Sequence, residues 1–299
     1  MIIAMTDIKT VALLVGGWSP ERDVSLNKGK AVKIALETAG YDVHVVDVKR
    51  DLNDFIDQLT PRPDVAFNNI YGKGGEDGII QGVLEMMQIP YTHSSVMASA
   101  VGMDKEITKI IAQSVGINVP ETLTYPYSPP YVLKPVDEGS SVDITIVFEQ
   151  DNFQPDLTKK GMIAERYIAG REIHVTVLDG RAIDVTEIHF SEKFFDYDAK
   201  YNSKTTTLTT PADIPDAVRE TAMKYAEDLY KAIHCGGLAR CDMRYDPSKK
   251  NGENVFLMEI NTMPGMAPGS VAVEQPLNEG MSFPDLCAHL VETATVKNK

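Results

Sequence analysis

Arg240 and Asp242 stand two residues apart in LARCDMRY, and Glu259 and Asn261 stand two apart in VFLMEIN. Strand residues at i and i+2 project to one face. Read as the arms of a hairpin, with Asp242 across from Glu259, the two stretches also set Arg240 across from Asn261 and gather all four side chains on one face. Two carboxylates and an amide carbonyl are hard oxygen donors of the kind Mg²⁺ takes, and the ion usually keeps phosphates and waters in its shell. An arginine beside them suits a phosphate. A solvated sheet face carrying a salt bridge would look the same on the hairpin alone. Phe256, Met258 and Ile260 are expected to pack on the opposite face. The second strand then breaks into TMPGMAPGS, a loop of two prolines and two glycines that ends on Ser270.

Basic and glycine-rich material elsewhere favours the phosphate reading. Lys134 closes the strand YVLKP, and DEGSSVD follows, a turn rich in backbone N–H donors. Lys105 lies in the first turn of a helix capped by Asp104, and Lys200 and Tyr201 lie in a long polar segment. Familiar nucleotide motifs are missing: nothing matches GxxxxGK[ST], and GKGGED carries Asp77 where GxGxxG needs its last glycine. That failure also argues against a dehydrogenase. Six histidines without HExxH spacing give no zinc site, and GxSxG is absent.

The elements that must position these residues can be read from periodicity. TVALLVGG is a buried parallel strand, VSLNKGKAVKIALETAG a helix ending at Gly40, and YDVHVVDV the next strand, a βαβ opening. DVAFNNI, the loop YGKGGEDG, a helix GIIQGVLEMMQ with Asp77 as its cap, and a strand IPYTH complete a small α/β domain over residues 1–100. Residues 101–188 form a central, sheet-rich module. Residues 189–299 form a third, with a lid over about 191–213, where the composition turns Thr- and Tyr-rich. A helix follows with Val218, Ala222, Tyr225, Leu229 and Ile233 on one stripe, and a last helix starts at a capping box of Ser282 and Asp285.

Length and charge set outer limits. The 299 residues, 43% of them hydrophobic, suit two or three globular domains. Acidic residues outnumber basic ones by 43 to 29, for a net charge of −14. Such a surface repels nucleic acid and anionic lipid, so neither is expected as a partner. Three cysteines without a CxxC pair point to a reducing cytoplasm. The apolar opening MIIAM is far shorter than a signal-peptide core, and no run reaches the roughly 18 apolar residues of a membrane span.

A nucleotide site without a P-loop, with oxygen ligands on a hairpin and lysines on strands, resembles the ATP-grasp architecture. Six stretches, GGWSPERDVSL, GKGGEDGIIQGVLEMMQIPYTHSSVMASAVGMDK, KPVDEGSSV, FDYDAKY, GGLARCDMRYD and MEINTMPGM, occur in the order found in the D-alanine–D-alanine ligase family. The resemblance implies an N-terminal Rossmann-like domain followed by a two-module ATP-grasp fold, α/β overall and α+β in the ATP-grasp part.

By match of motif, Asp242, Glu259 and Asn261 resemble the ligands of two Mg²⁺ ions, with Mn²⁺ a substitute and Glu259 as the bridge. Lys105, Lys134 and the loop carrying Ser140 and Ser141 resemble the phosphate-holding groups. Glu165, Arg166, Tyr167 and Ile168 resemble the adenine hinge, Glu172 the acid on the ribose, and Lys200 a lid lysine on the γ-phosphate. Arg240 and the Gly265 N–H correspond to the oxyanion site. Glu21 would hold the first ammonium and Ser270 the second carboxylate, while Glu21, Ser140 and Tyr201 match a trio linking the modules. The implied activity is ATP-dependent joining of two D-alanines through an acyl phosphate, for peptidoglycan precursors. The implied partners are ATP and D-alanine, in a homodimer through the N-terminal domain.

The sequence departs from the family at Tyr71 (usually histidine), Phe195 (usually tyrosine) and Asp143 (usually glycine), and its connector before Lys134 is short. Asp143 would weaken ATP binding if it faced the site. Ligases that use D-lactate or D-serine as second substrate, and a non-catalytic nucleotide or D-alanine sensor, are the alternatives. Tyr201 favours an amine as second substrate.

Overall fold

The computed structural model describes residues 8–139, 143–151, 153–156, 158–189, 206–249 and 254–297. The opening βαβ unit forms as its periodicity predicts. Strand β1 (Thr10–Gly16) lies between β2 (Asp42–Val48) and β3 (Val65–Asn68) in an all-parallel sheet, with helix α1 (Arg22–Thr38) as the first crossover. Alternation in β1 feeds two cores. Val11, Leu13 and Val15 pack with Val32, Ala35 and Leu36 of α1, whereas Ala12 and Leu14 pack with Phe55 of helix α2 (Leu52–Gln58) and Leu84 of helix α3 (Ile79–Met86). The first of these cores also contains Leu286, Cys287, Leu290 and Val291, from the last helix of the chain.

IPYTH, expected as a strand, contributes only isolated bridges at Tyr91, parallel to Ala66 and antiparallel to Thr295. Pro90 has no N–H to continue a ladder, and His93 turns the chain at φ +67°. Asp77 acts one residue earlier than a cap. Its carboxylate accepts the N–H groups of Gly74 and Ile79, and Gly78 takes the N-cap position. Helix α4 (Val96–Met103) is apolar nearly all round, so no stripe announces it. Asp104 then caps helix α5 (Lys105–Ser114) through the Ile107 N–H, as expected.

Two antiparallel sheets follow. One has the order β5-β4-β6, from β4 (Tyr131–Pro135), β5 (Thr145–Val147) and β6 (Met162–Arg166). The other has the order β11-β10-β7-β8-β9, from β7 (Arg171–Leu178), β8 (Arg181–His189), β9 (Thr207–Thr209), β10 (Leu238–Tyr245) and β11 (Val255–Asn261). This sheet runs across the expected boundary at residues 188 and 189. Strand β9 also turns the end of the expected lid segment into a sheet edge. Helix α6 (Asp216–Ala232) covers one face through Val218, Ala222, Ala226, Leu229 and Tyr230, with Tyr225 only packed against the rim. Helices α7 (Val271–Asn278) and α8 (Phe283–Glu292) close the chain, α8 on the expected Ser282–Asp285 capping box.

Two irregularities shape the site. The β10–β11 register shifts after Asp242, so that Met243 faces Leu257 and Met258 is the extra residue. The bulge corrects the expected packing: Val255, Leu257 and Ile260 enter the core, and Met258 does not. Strict alternation would have put Leu257 and Glu259 on one face, and the extra residue separates them. In β7, a second shift at Thr176 is met by Gln275 of α7, which accepts the Thr176 N–H and donates to the His174 carbonyl. That exchange holds α7 against the sheet beside the cleft.

Candidate active site

A cleft of about 350 Å³ opens between the N-terminal unit and the β10–β11 hairpin. It gathers Glu21, Lys105, Arg240, Glu259, Asn261, Gly265 and Ser270 from five separate parts of the chain. The hairpin register is the expected one, Asp242 opposite Glu259 and Arg240 opposite Asn261. Asp242 is buried beside the cleft and held by Arg240 in a two-pronged contact, Nε to Oδ1 at 2.6 Å and Nη2 to Oδ2 at 2.8 Å. Behind it lies His174, with Nδ1 3.5 Å from Asp242 Oδ1 and Nε2 3.1 Å from Glu172 Oε1. Glu172 also takes Arg244 Nη1 at 3.3 Å. The expected ribose acid is thus anchored to the base of the hairpin.

Glu21 sits at the head of α1, 6% exposed, with its N–H on Ser19 Oγ. Gly72 must be glycine there on two counts: its φ is +71°, and a Cβ would come 2.7 Å from Glu21 Oε2. Lys105 Nζ donates to the Glu138 carbonyl at 2.5 Å and lies 3.9 Å from Glu259 Oε2. It ties the turn after β4 to the hairpin. Lys134 does not reach this cleft. Its ammonium lies 2.7 Å from Glu165 Oε2, while Lys109 Nζ donates to Glu165 Oε1 at 2.7 Å, all three side chains being buried. Burial alone would raise the Glu165 carboxyl, but Lys134 and then Lys109 outweigh it and hold it below the ordinary range. Arg166 ends β6 exposed, Tyr167 stacks edge-on against Phe148 at 5.4 Å, and Ile168 is buried. Ser140, Ser141, Lys200 and Tyr201 lie outside the described residues.

Four cleft groups were not legible as site residues. Lys28 and Glu76 line the cleft, His174 backs Asp242, and Tyr71 supports the loop after β11. Glu76 is half-buried in the wall, and burial, then Glu21 and Glu259, hold its carboxyl well above the usual range. Lys28 did carry a signal, since Glu21, Ser25 and Lys28 follow i, i+4, i+7 spacing and make a polar stripe at the head of α1. Tyr71, 3% exposed, donates its hydroxyl to Asn69 Oδ1 at 2.7 Å and accepts the Met266 N–H at 2.9 Å. Tyr71→Phe strands both partners and is expected to cost about 1–3 kcal/mol. Urea unfolding reads this directly, and an unchanged midpoint would show that the loop does not depend on the hydroxyl.

Residues 95–292 match the family pattern described as D-ala D-ala ligase C-terminus. The chain belongs to the D-alanine–D-alanine ligase family. It is 43% identical over 304 residues to the D-alanine–D-alanine ligase of Acidiphilium cryptum, covering 97% of this chain and 100% of that one. It is 44% identical over 301 residues to that of Rhodospirillum rubrum, covering 96% and 98%. Among solved structures, the Bacillus anthracis D-alanine–D-alanine ligase complexed with ATP superposes with a TM-score of 0.78 at 29% identity, covering 96% of this chain and 97% of that one. The D-Ala:D-Ser ligase of Enterococcus faecalis gives 0.79 at 26%, covering 96% and 99%.

The fold is therefore the ATP-grasp fold of these ligases, mixed helix and strand behind an N-terminal α/β unit. Two ligase-family departures acquire a local account. Tyr71 fills its position as the loop support described above. Asp143 adopts φ +58°, where glycine is free of strain, and turns its exposed carboxylate to Lys159 Nζ at 2.7 Å. Phe195 lies outside the described residues. No helix among those described is long and apolar enough to cross a membrane.

Proposed function

We infer that this ligase joins two D-alanines to D-alanyl-D-alanine at the expense of ATP, for peptidoglycan precursor synthesis. The observation that carries the reading is the meeting of Glu21 with Lys105, Arg240, Glu259 and Asn261 around one cleft. An ammonium-binding carboxylate faces phosphate- and metal-binding chemistry there, as an amino-acid-activating site requires. The donor D-alanine places its ammonium on Glu21 and its carboxylate toward Arg240. That carboxylate attacks the γ-phosphorus of ATP, and ADP leaves. The amine of the second D-alanine then attacks the acyl carbon, and phosphate leaves. Arg240 and the Gly265 N–H take the charge of the tetrahedral intermediate, a contribution of about 10²–10³ in rate per donor. Positioning and charge neutralisation supply most of the phosphoryl step.

The donor set at the hairpin fits Mg²⁺, with Mn²⁺ as substitute, because every protein donor is oxygen. Asp242, Glu259 and Asn261 would hold two ions, Glu259 between them. They supply two carboxylates and one amide, and no trio of His, Cys, Asp or Glu is gathered for a metal among the described residues. Phosphate oxygens and water must complete the shell. When bound, Mg²⁺ supplies neutralisation of the transferring phosphoryl group. Arg240 now holds both Asp242 oxygens; a cation on their remaining lone pairs would weaken that contact and loosen the guanidinium toward substrate.

The adenine is assigned to the Glu165–Ile168 hinge between the two antiparallel sheets, the ribose to Glu172, and the phosphates to Lys105, to Ser140 and Ser141, and to Lys134, whose ammonium would have to leave Glu165. Lys200 and Tyr201 are assigned to a closing lid whose far end, Thr206 and Leu208, borders the cleft. The working division keeps residues 1–100 as the substrate-binding unit. A cytoplasmic homodimer is the expected form, and sedimentation would test it. The deciding experiment measures ADP release with ATP, Mg²⁺ and D-alanine, with L-alanine as control and D-lactate and D-serine offered as competing acceptors. Dipeptide as main product is expected. Ester or D-seryl product would move the chain to a variant ligase, and ATP binding without release would make it a sensor.

A further inference from the structure

Lys28 has no part in the chemistry just described, yet it projects from α1 into the middle of the cleft. Its Nζ lies 3.3 Å from Ser270 Oγ and 5.4 Å from the centre of the Tyr71 ring. A Cβ at position 265 would fall 2.4 Å from it, so a side chain there would push this ammonium aside. Ser270 stands at the head of α7 but makes no side-chain cap bond to that helix. Its hydroxyl is turned to Lys28 instead. The pair thus sets an ammonium and a hydroxyl side by side, at the positive end of a helix, in a cleft that Glu21, Glu76, Glu138 and Glu259 line together with Lys105 and Arg240.

We propose that Lys28, with Ser270, holds the carboxylate of the acceptor amino acid and selects for acceptors that carry one. This rests on reading the cleft as that of a D-alanine-joining ligase. The family resemblance points Ser270 at the acceptor carboxylate, and Lys28 is the addition made here. The donor carboxylate cannot be the partner of Lys28, because it is consumed at the hairpin beside Arg240 and Lys105. The acceptor carboxylate stays ionised through both steps and must enter a strongly acidic protein. It requires a permanent counter-charge from outside the metal and phosphate set, and α1 and the head of α7 are separate from that set. Burial first, and Arg240 second, lower the Lys28 ammonium to about 8, with Glu21 and Glu76 opposing. A bound carboxylate relieves that desolvation. Charge-assisted pairs of this kind are the strong ones.

Lys28→Met keeps the length of the stem and removes the charge, and Lys28→Arg keeps the charge. Hydroxylamine provides an acceptor without a carboxylate: its nitrogen attacks the acyl phosphate, phosphate leaves, and D-alanine hydroxamate forms. With Lys28→Met, the KM for acceptor D-alanine is expected to rise about 10- to 100-fold, as for loss of one charged hydrogen bond. Hydroxamate formation at saturating ATP should stay within about twofold of the parent, since no charged contact is lost in that reaction. The preference for D-alanine over D-alaninamide as acceptor should fall by the same factor as the KM rises, and Lys28→Arg should restore most of it. An unchanged acceptor KM, or an unchanged preference over the amide, would overturn the assignment. An equal loss of hydroxamate would also overturn it, by placing Lys28 on the donor. A parent protein without D-alanine-dependent ADP release fails earlier, at the proposed function itself.

Discussion

Glu259→Gln is expected to lower turnover by about 10³-fold or more, since it removes a charge placed for the transferring phosphoryl group. The fold should survive unchanged. Glutamine matches glutamate in shape, and the Glu259 side chain is 29% exposed. Lys105 Nζ lies 3.9 Å from its Oε2 and keeps its own bond to the Glu138 carbonyl. A loose contact at that distance, with the carboxylate reaching solvent, is worth about 0–1 kcal/mol, so thermal melting should shift little. ADP release and dipeptide yield, measured beside a melting curve, separate the two effects. Near-parent turnover in a folded Glu259→Gln protein would refute the bridging role.

Arg240→Met should damage activity and stability together. The guanidinium is assigned to the tetrahedral intermediate, and losing one such donor costs about 10²–10³ in rate. The same side chain satisfies both oxygens of Asp242, a carboxylate only 5% exposed. Removing one partner of a buried pair costs about 3–5 kcal/mol, because the other charge stays behind uncompensated. Arg240→Lys should recover little, since an ammonium cannot make the two-pronged contact. Added Mg²⁺ should raise the melting temperature of Arg240→Met more than that of the parent, because the freed Asp242 then binds the cation without competition. Equal Mg²⁺ response in both proteins would count against Asp242 as a ligand.

The hairpin was legible because its geometry is local. Spacing by two on two successive strands places Arg240, Asp242, Glu259 and Asn261 without knowledge of the rest of the chain. The bulge at Met258 was not legible, since either register leaves an apolar residue for the core, and packing against Asn118 and α6 decides which one. The Leu257 N–H, for example, is taken by the Asn118 carbonyl at 2.9 Å. Lys28, Glu76 and His174 escaped for a different reason. Glu76 and His174 are unremarked within their own elements, the polar stripe that holds Lys28 names no partner, and each gains meaning from a side chain far away in sequence, as Lys28 does from Ser270. The strand expected at IPYTH failed on one missing N–H, at Pro90. Lys134 matched its motif, yet its ammonium rests on Glu165, a pairing visible only once β4 and β6 are side by side.

The last helix gives this molecule an unusual order of assembly. Val11, Leu13 and Val15 are synthesised long before Leu286, Leu290 and Val291, which finish the side of the sheet they occupy. Until those arrive, the N-terminal unit carries a bare apolar flank while more than half of the chain is still being synthesised. Closing so long a loop is entropically slow, and exposed strands invite association in the meantime. The N-terminal unit is therefore expected to need shielding until α8 has been made and packs against it.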